Sequence, residues 1–165
     1  MPATGTAIRQ ESHLIKAVVP FIEKSYPAKA EPSGRRLLGF SKSGWGAYSL
    51  LLRHLDFFGG AAAFDSPFLL SVPDKYGSGE IFGTLANFDT YRPDELLRKN
   101  VGGIKRNKDA PRFVLLGKAN FLIDGRFIHE TMKAMSIEHF YSEESEYPHR
   151  WGGGWLELAA TELLR

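Results

Sequence analysis

Ser41 is the residue best placed to do chemistry in this 165-residue chain. It stands where the apolar run Leu37-Leu38-Gly39-Phe40 stops and a helical pattern opens through Lys42, Ser43, Gly44, Trp45, Gly46 and Ala47. A tight strand-to-helix turn strains the backbone and holds a serine hydroxyl clear of the chain. It also offers the next N–H, here that of Lys42, to a developing oxyanion. Strand and helix nearly touch at such a turn, which requires the small neighbours Gly39, Ser43, Gly44, Gly46 and Ala47. Ser43 replaces the second glycine of a G-x-S-x-G pattern; it is small enough, although a positive φ there would suit glycine better. A serine hydroxyl becomes a nucleophile when a histidine takes its proton and a third group fixes the imidazole tautomer. Among five histidines, His149 is set apart by Pro148 and by Gly152-Gly153-Gly154, which put it in a loop. His13, His54 and His129 fall on helical patterns and His139 in a strand pattern, where packing or solvation is the ordinary role.

The elements that must position these groups alternate between strand and helix, the pattern of an α/β domain with a parallel sheet. Leu14, Ile15, Val18, Val19 and Ile22 predict an amphipathic helix over about residues 8 to 25, kinked by Pro20, which frees the carbonyl of Lys16. Leu37 to Phe40 reads as a strand buried on both faces, followed by a helix to about His54. Gly59 to Phe64 is a second strand, and residues 66 to 92 a long surface excursion rich in turn formers. Asp94 caps a short helix through Leu97. Arg112 to Gly117 is the strongest buried strand, Asp124 to Met135 a helix, Ile137 to Tyr141 a strand, and Trp155 to Leu164 a closing helix. One domain over 1–165 is expected. In a parallel sheet, ligands lie beyond the carboxyl ends of the strands. Ser41, Asp65, Asn120 and His149 each follow one of the four predicted strands, so topology alone brings them together.

Composition narrows the function classes. With 21 basic and 19 acidic residues the net charge is +2, which builds no field to steer the chain to nucleic acid or an anionic membrane. Lys105, Arg106 and Lys108, between Gly102-Gly103 and Asp109-Pro111, read as a solvated loop. The absence of cysteine excludes disulfides and thiol catalysis and disfavours structural zinc. No apolar run is long enough to span a bilayer, and the first residues lack a signal-peptide pattern, so a soluble, cytoplasmic chain is the default expectation. Gly152-Gly153-Gly154 fits no P-loop, because no Lys-Ser/Thr pair follows it. Trp45, Trp151 and Trp155 suit either core packing or the lining of an acyl or aryl pocket.

Residues 11–68 resemble the esterase family of α/β-hydrolases that includes esterase D-like, feruloyl esterase-like and enterochelin esterase-like enzymes. The resemblance rests on Val19-Pro20-Phe21-Ile22 and Tyr26-Pro27 before the strand, on the elbow, and on Leu52-Arg53-His54-Leu55-Asp56-Phe57-Phe58-Gly59 after it. Ile81-Phe82-Gly83, the turn Gly117-Lys118-Ala119-Asn120 and the stretch from Ile137 to Trp155 extend it over most of the chain. It implies a partial α/β-hydrolase fold and hydrolysis of a small-molecule carboxylic ester through a Ser41 acyl-enzyme, with no metal or organic cofactor. His149 takes the base position, Lys42 N–H a place in the oxyanion hole, and Asn120 the slot where the family carries an aspartate. An amide there orients an imidazole without stabilising its charged form, a loss of about 10⁴-fold in a serine triad. Asp65, readable as a turn former, and Asp124, readable as a helix-starting residue, are the alternative acids. The family's early strands, with the second oxyanion N–H, have no counterpart here. That leaves a sheet edge inviting a homo-oligomer and a rival reading as a catalytically silent binding or interaction module.

Overall fold

Four short apolar segments pair side by side in chain order, β1-β2-β3-β4, into one parallel sheet. They are β1 (Arg36–Phe40), β2 (Gly60–Phe64), β3 (Arg112–Leu116) and β4 (Phe140–Ser142). The computed structural model describes residues 9–79, 81–106, 112–117, 119–143 and 147–165. The chain divides into two compact units, Met1–Ala30 and Glu31–Arg165. In the first, α1 (Gln10–His13) passes through a π-helical turn (Leu14–Val18) into α2 (Val19–Ser25). Pro20 has no N–H to give, and the wider π register immediately before it takes up the interruption expected at Lys16.

The second unit is layered. β2, Gly-Ala-Ala-Ala-Phe, is buried throughout, and its small side chains let a helix approach closely. Register sets Phe40 beside Phe64 and Phe64 beside Leu116, so the carboxyl ends of β1, β2 and β3 are level. On one face lie Ala62, Phe64, Val114 and Leu116, packed against Trp155, Ala159 and Leu163 of α7 (Trp155–Leu164). On the other lies α3 (Lys42–Arg53), whose fully buried Tyr48 packs on Phe113 at 5.6 Å and donates to Val114 O at 3.0 Å. Trp155 is 0% exposed and stacks on Phe64 with ring centroids 4.9 Å apart. Truncating a buried aromatic of this size costs about 3–5 kcal/mol. Trp155→Ala is therefore expected to lower the free energy of unfolding, measured by urea denaturation, by that much, and an unchanged value would place the core elsewhere.

Several elements depart from the sequence reading for identifiable reasons. β1 is half-buried, not buried on both faces, because it is an edge strand. Arg35 O accepts from Gly59 N and Ser41 N donates to Phe64 O. By alternation, the backbone groups of Arg36, Leu38 and Phe40 face away from β2. The helix expected to stop at Leu97 continues as α5 (Pro93–Arg106), through Gly102 and Gly103, since buried Leu96, Leu97 and Ile104 give it a core-facing stripe. Asp94 sits inside its first turn, paired with Arg92 at 2.8 Å and Arg98 at 3.0 Å. α6 (Leu122–Ala134) ends where Ile137 N bonds back to Met132 O, which delays β4 from Ile137 to Phe140. Among its described residues the surface excursion carries one short helix, α4 (Leu85–Asp89), capped by the Thr84 hydroxyl. The predicted loop from Lys105 to Pro111 lies largely outside the described residues.

Candidate active site

Ser41 occupies the bend between β1 and α3 with φ 55° and ψ −127°, one of four non-glycine residues at positive φ among the described residues. Two glycines make the bend possible. A Cβ on Gly39 would run into the carbonyl of Ser43, and one on Gly44 into the hydroxyl of Ser66. Gly46 is under no such constraint, since no heavy atom outside its own helical surroundings lies within 4 Å of the position a Cβ would take. Ser43 lies in regular helix, so the anticipated discomfort of a positive φ does not arise there. Its hydroxyl instead accepts from Phe40 N at 3.0 Å and donates to Phe40 O at 2.8 Å, tying the last strand residue to the helix. Ser41 O accepts from Gly44 N at 3.0 Å and Trp45 N at 3.3 Å. The N–H of Lys42 precedes the first of these helical bonds, at the positive end of the helix dipole.

His149 sits in the loop that the sequence assigns it, with a side chain 26% exposed. Arg150 N donates to Pro148 O at 2.7 Å, and Trp155 Nε1 donates to Arg150 O at 3.0 Å, which moors the loop to the core. The imidazole lies between the ring of Phe40, 4.4 Å away, and that of Phe121, 5.7 Å away. Phe40 is the residue immediately before Ser41, so the bend and the imidazole share a wall.

The partner of the imidazole differs from the expected Asn120. His149 Nδ1 is 2.5 Å from Asp65 Oδ2, and the Asp65 side chain is completely buried. Asp65 is itself at positive φ, 46°, its N–H donating to Leu116 O at 2.8 Å. Asn120 enters only through its backbone: its N–H donates to Asp65 Oδ2 at 3.0 Å, and Phe121 N–H to Oδ1 at 2.8 Å, while the residue as a whole is exposed. The reason is register. β2 and β3 end level, so a carboxylate leaving β2 reaches the turn after β3, and that turn's amide groups cradle it. Gly117, at φ 114°, completes the fit, because a Cβ there would come within 2.9 Å of Asp65 N. Asp124 is occupied elsewhere: it accepts from Leu69 N at 2.8 Å, and burial holds its carboxyl above the usual range.

Lys42 has a second connection. Its ammonium donates to Tyr76 O at 2.8 Å, and the Tyr76 ring meets that of Phe121 edge-on at 5.8 Å. A turn of the surface excursion therefore bridges the α3 and α6 sides of the site. Nothing in the sequence around Tyr76 singles it out beyond the turn formers beside it. Among the described residues no group of three His, Asp or Glu side chains could hold a metal ion, and no helix is long and apolar enough to cross a membrane.

A level parallel sheet with helices on both faces and a strained serine at the first strand's end is the α/β-hydrolase fold, present here in part. Solved structures that share it include serine hydrolases and esterases. Fluorophosphonate-binding serine hydrolase F of Staphylococcus aureus, in a substrate-bound structure, matches with a TM-score of 0.74 at 18% identity, over 92% of this chain and 62% of that one. S-formylglutathione hydrolase from the same organism matches with a TM-score of 0.74 at 17% identity, over 94% of this chain and 64% of its own. A ferulic acid esterase from Anaeromyces mucronatus, in complex with ferulic acid, gives 0.60 at 18% identity, over 93% and 54%. The chain thus spans less than two thirds of the length of these chains. No protein-family model matches the sequence, and no curated protein matches it.

Proposed function

We propose that this chain carries the reacting groups of a serine esterase, with Ser41 as nucleophile, His149 as general base and Asp65 as the residue that holds the imidazole. The observation that carries the reading is the Asp65–His149 hydrogen bond of 2.5 Å at the same sheet end as the strained Ser41. A carboxylate on Nδ1 keeps the hydrogen there and leaves the Nε2 lone pair free to take a proton. Ser41 Oγ bonds to the acyl carbon of a carboxylic ester as its proton passes to His149 Nε2. The oxygen that becomes negative is held in part by Lys42 N–H. The bond to the alcohol oxygen then breaks as His149 returns the proton to it. Water repeats the sequence on the acyl-enzyme, releasing the acid and restoring Ser41. The esterase and serine hydrolase titles of the structural neighbours support an ester as the substrate class.

A fluorophosphonate probe tests the proposal directly, because its phosphorus is attacked by an activated serine and by few other groups. One equivalent of covalent adduct, located by peptide mapping at Ser41, is expected. Folded protein that takes up no probe would favour a silent binding module instead.

A further inference from the structure

At the opposite end of the sheet from Ser41, two histidines join the edge strand to the helix before it. His139, just ahead of β4, has Nδ1 2.7 Å from Ile137 O. A carbonyl oxygen only accepts, so that nitrogen carries a hydrogen and Nε2 of the neutral ring carries a lone pair. That Nε2 lies 2.8 Å from Nδ1 of His129 on α6, which must then donate. The ring centroids are 5.0 Å apart, as a nearly straight N–H···N bond of this length requires. His129 Nε2 is left with a lone pair 3.6 Å from Glu130 Oε1. A first added proton settles there, facing a carboxylate. A second has only His139 Nε2 to occupy, against the hydrogen of His129, and cannot enter without parting the rings.

We propose that the His129–His139 pair is an acid-released catch that fastens β4 to α6. The closed pair holds one added proton and the open pair two, so protons favour opening once pH falls below the ordinary histidine value of about 6.5. The other groups facing the pair do not offset this. From α6, Glu130 favours a proton on His129 and Lys133 opposes it. From the β4 side, Tyr141 stacks on His129 at 4.1 Å, while Glu143 is already bound by Arg126 at 2.7 Å and by the Tyr141 hydroxyl at 3.0 Å. Burial, then the neighbouring His139, holds His129 below its usual value. Stability from a depressed histidine is present above the unfolded value and is lost as pH falls through it, the same sign.

β4 is short enough to be governed by this catch, with three residues paired to β3 alone. It also leads into the loop bearing His149, and Ser142 O accepts from Gly117 N beside Asp65 at 3.1 Å. Release of β4 therefore disturbs the imidazole from both sides; this last step rests on the reading of His149 as the base.

Amide hydrogen exchange at pH 7.5 and pH 5.5, corrected for intrinsic rates, tests the catch without reference to activity. Opening within 137–143 is expected to rise roughly tenfold in the wild type while β1 to β3 stay protected, and His129→Gln is expected to lose the rise. Equal behaviour of wild type and variant, or no rise, overturns the proposal. Should the variant fail to fold, long-range proton–nitrogen spectra of the wild-type imidazoles decide. One proton taken up by the closed pair, with His139 retaining Nδ1–H, supports the catch, and two independent titrations near the ordinary value refute it. If exchange follows expectation yet no ester is hydrolysed at any pH, the catch stands and the esterase reading falls.

Discussion

Asp65→Asn is expected to lower kcat for a simple aryl ester by about 10⁴-fold, whereas Asn120→Ala is expected to leave it within about threefold. The first substitution removes the charge that steadies the protonated imidazole and puts an amide where the Nδ1 hydrogen needs an acceptor. The second keeps the backbone N–H, which is all that Asn120 gives to the Asp65 carboxylate. Steady-state kinetics on both variants, with near-ultraviolet circular dichroism to establish the fold, separates the alternatives. Equal losses would return the orienting role to the turn after β3, and no loss at Asp65 would remove the carboxylate from the mechanism.

Ser41→Ala is expected to cost on the order of 10⁶-fold in kcat, as loss of a serine nucleophile does where base and oxyanion donor remain. A second substitution at the same position makes a sharper statement. Ser41 is held at φ 55°, where a side chain is strained by about 1–3 kcal/mol, and glycine is not. Ser41→Gly is therefore expected to abolish hydrolysis while raising the free energy of unfolding by about 1 kcal/mol. Denaturation and kinetics on this one variant test together whether the strain is kept for the sake of the hydroxyl. A variant that is both inactive and less stable would mean that the hydroxyl serves structure.

Much of this architecture was legible in the chain because it is written locally. The apolar runs ending at Phe40, Phe64 and Leu116 and the stripe from Trp155 to Leu163 mark their elements within a residue or two. The bend at Ser41 is announced by Gly39 and Gly44, whose missing side chains the packing requires. What was not legible depends on neighbours distant in sequence. Whether Asp65 or Asn120 meets His149 is decided by the register of β2 against β3, and nothing near either residue encodes that register. Likewise, β1 reads as fully buried from its own residues Leu37, Leu38 and Phe40, because being an edge is a property of strand order; only the resemblance, through the missing early strands, pointed to an open edge. α5 outruns its predicted end because burial of Ile104 outweighs two glycines.

The hydroxyl of Ser43 limits what can lie alongside the first strand. Phe40 offers its N–H and carbonyl outward, and both are already taken by that hydroxyl. A visiting strand therefore finds ladder positions only at Arg36 and Leu38, and must end one rung short of the nucleophile's bend. Any chain that borders this molecule here, a second copy included, is kept from reshaping the backbone that aims Ser41.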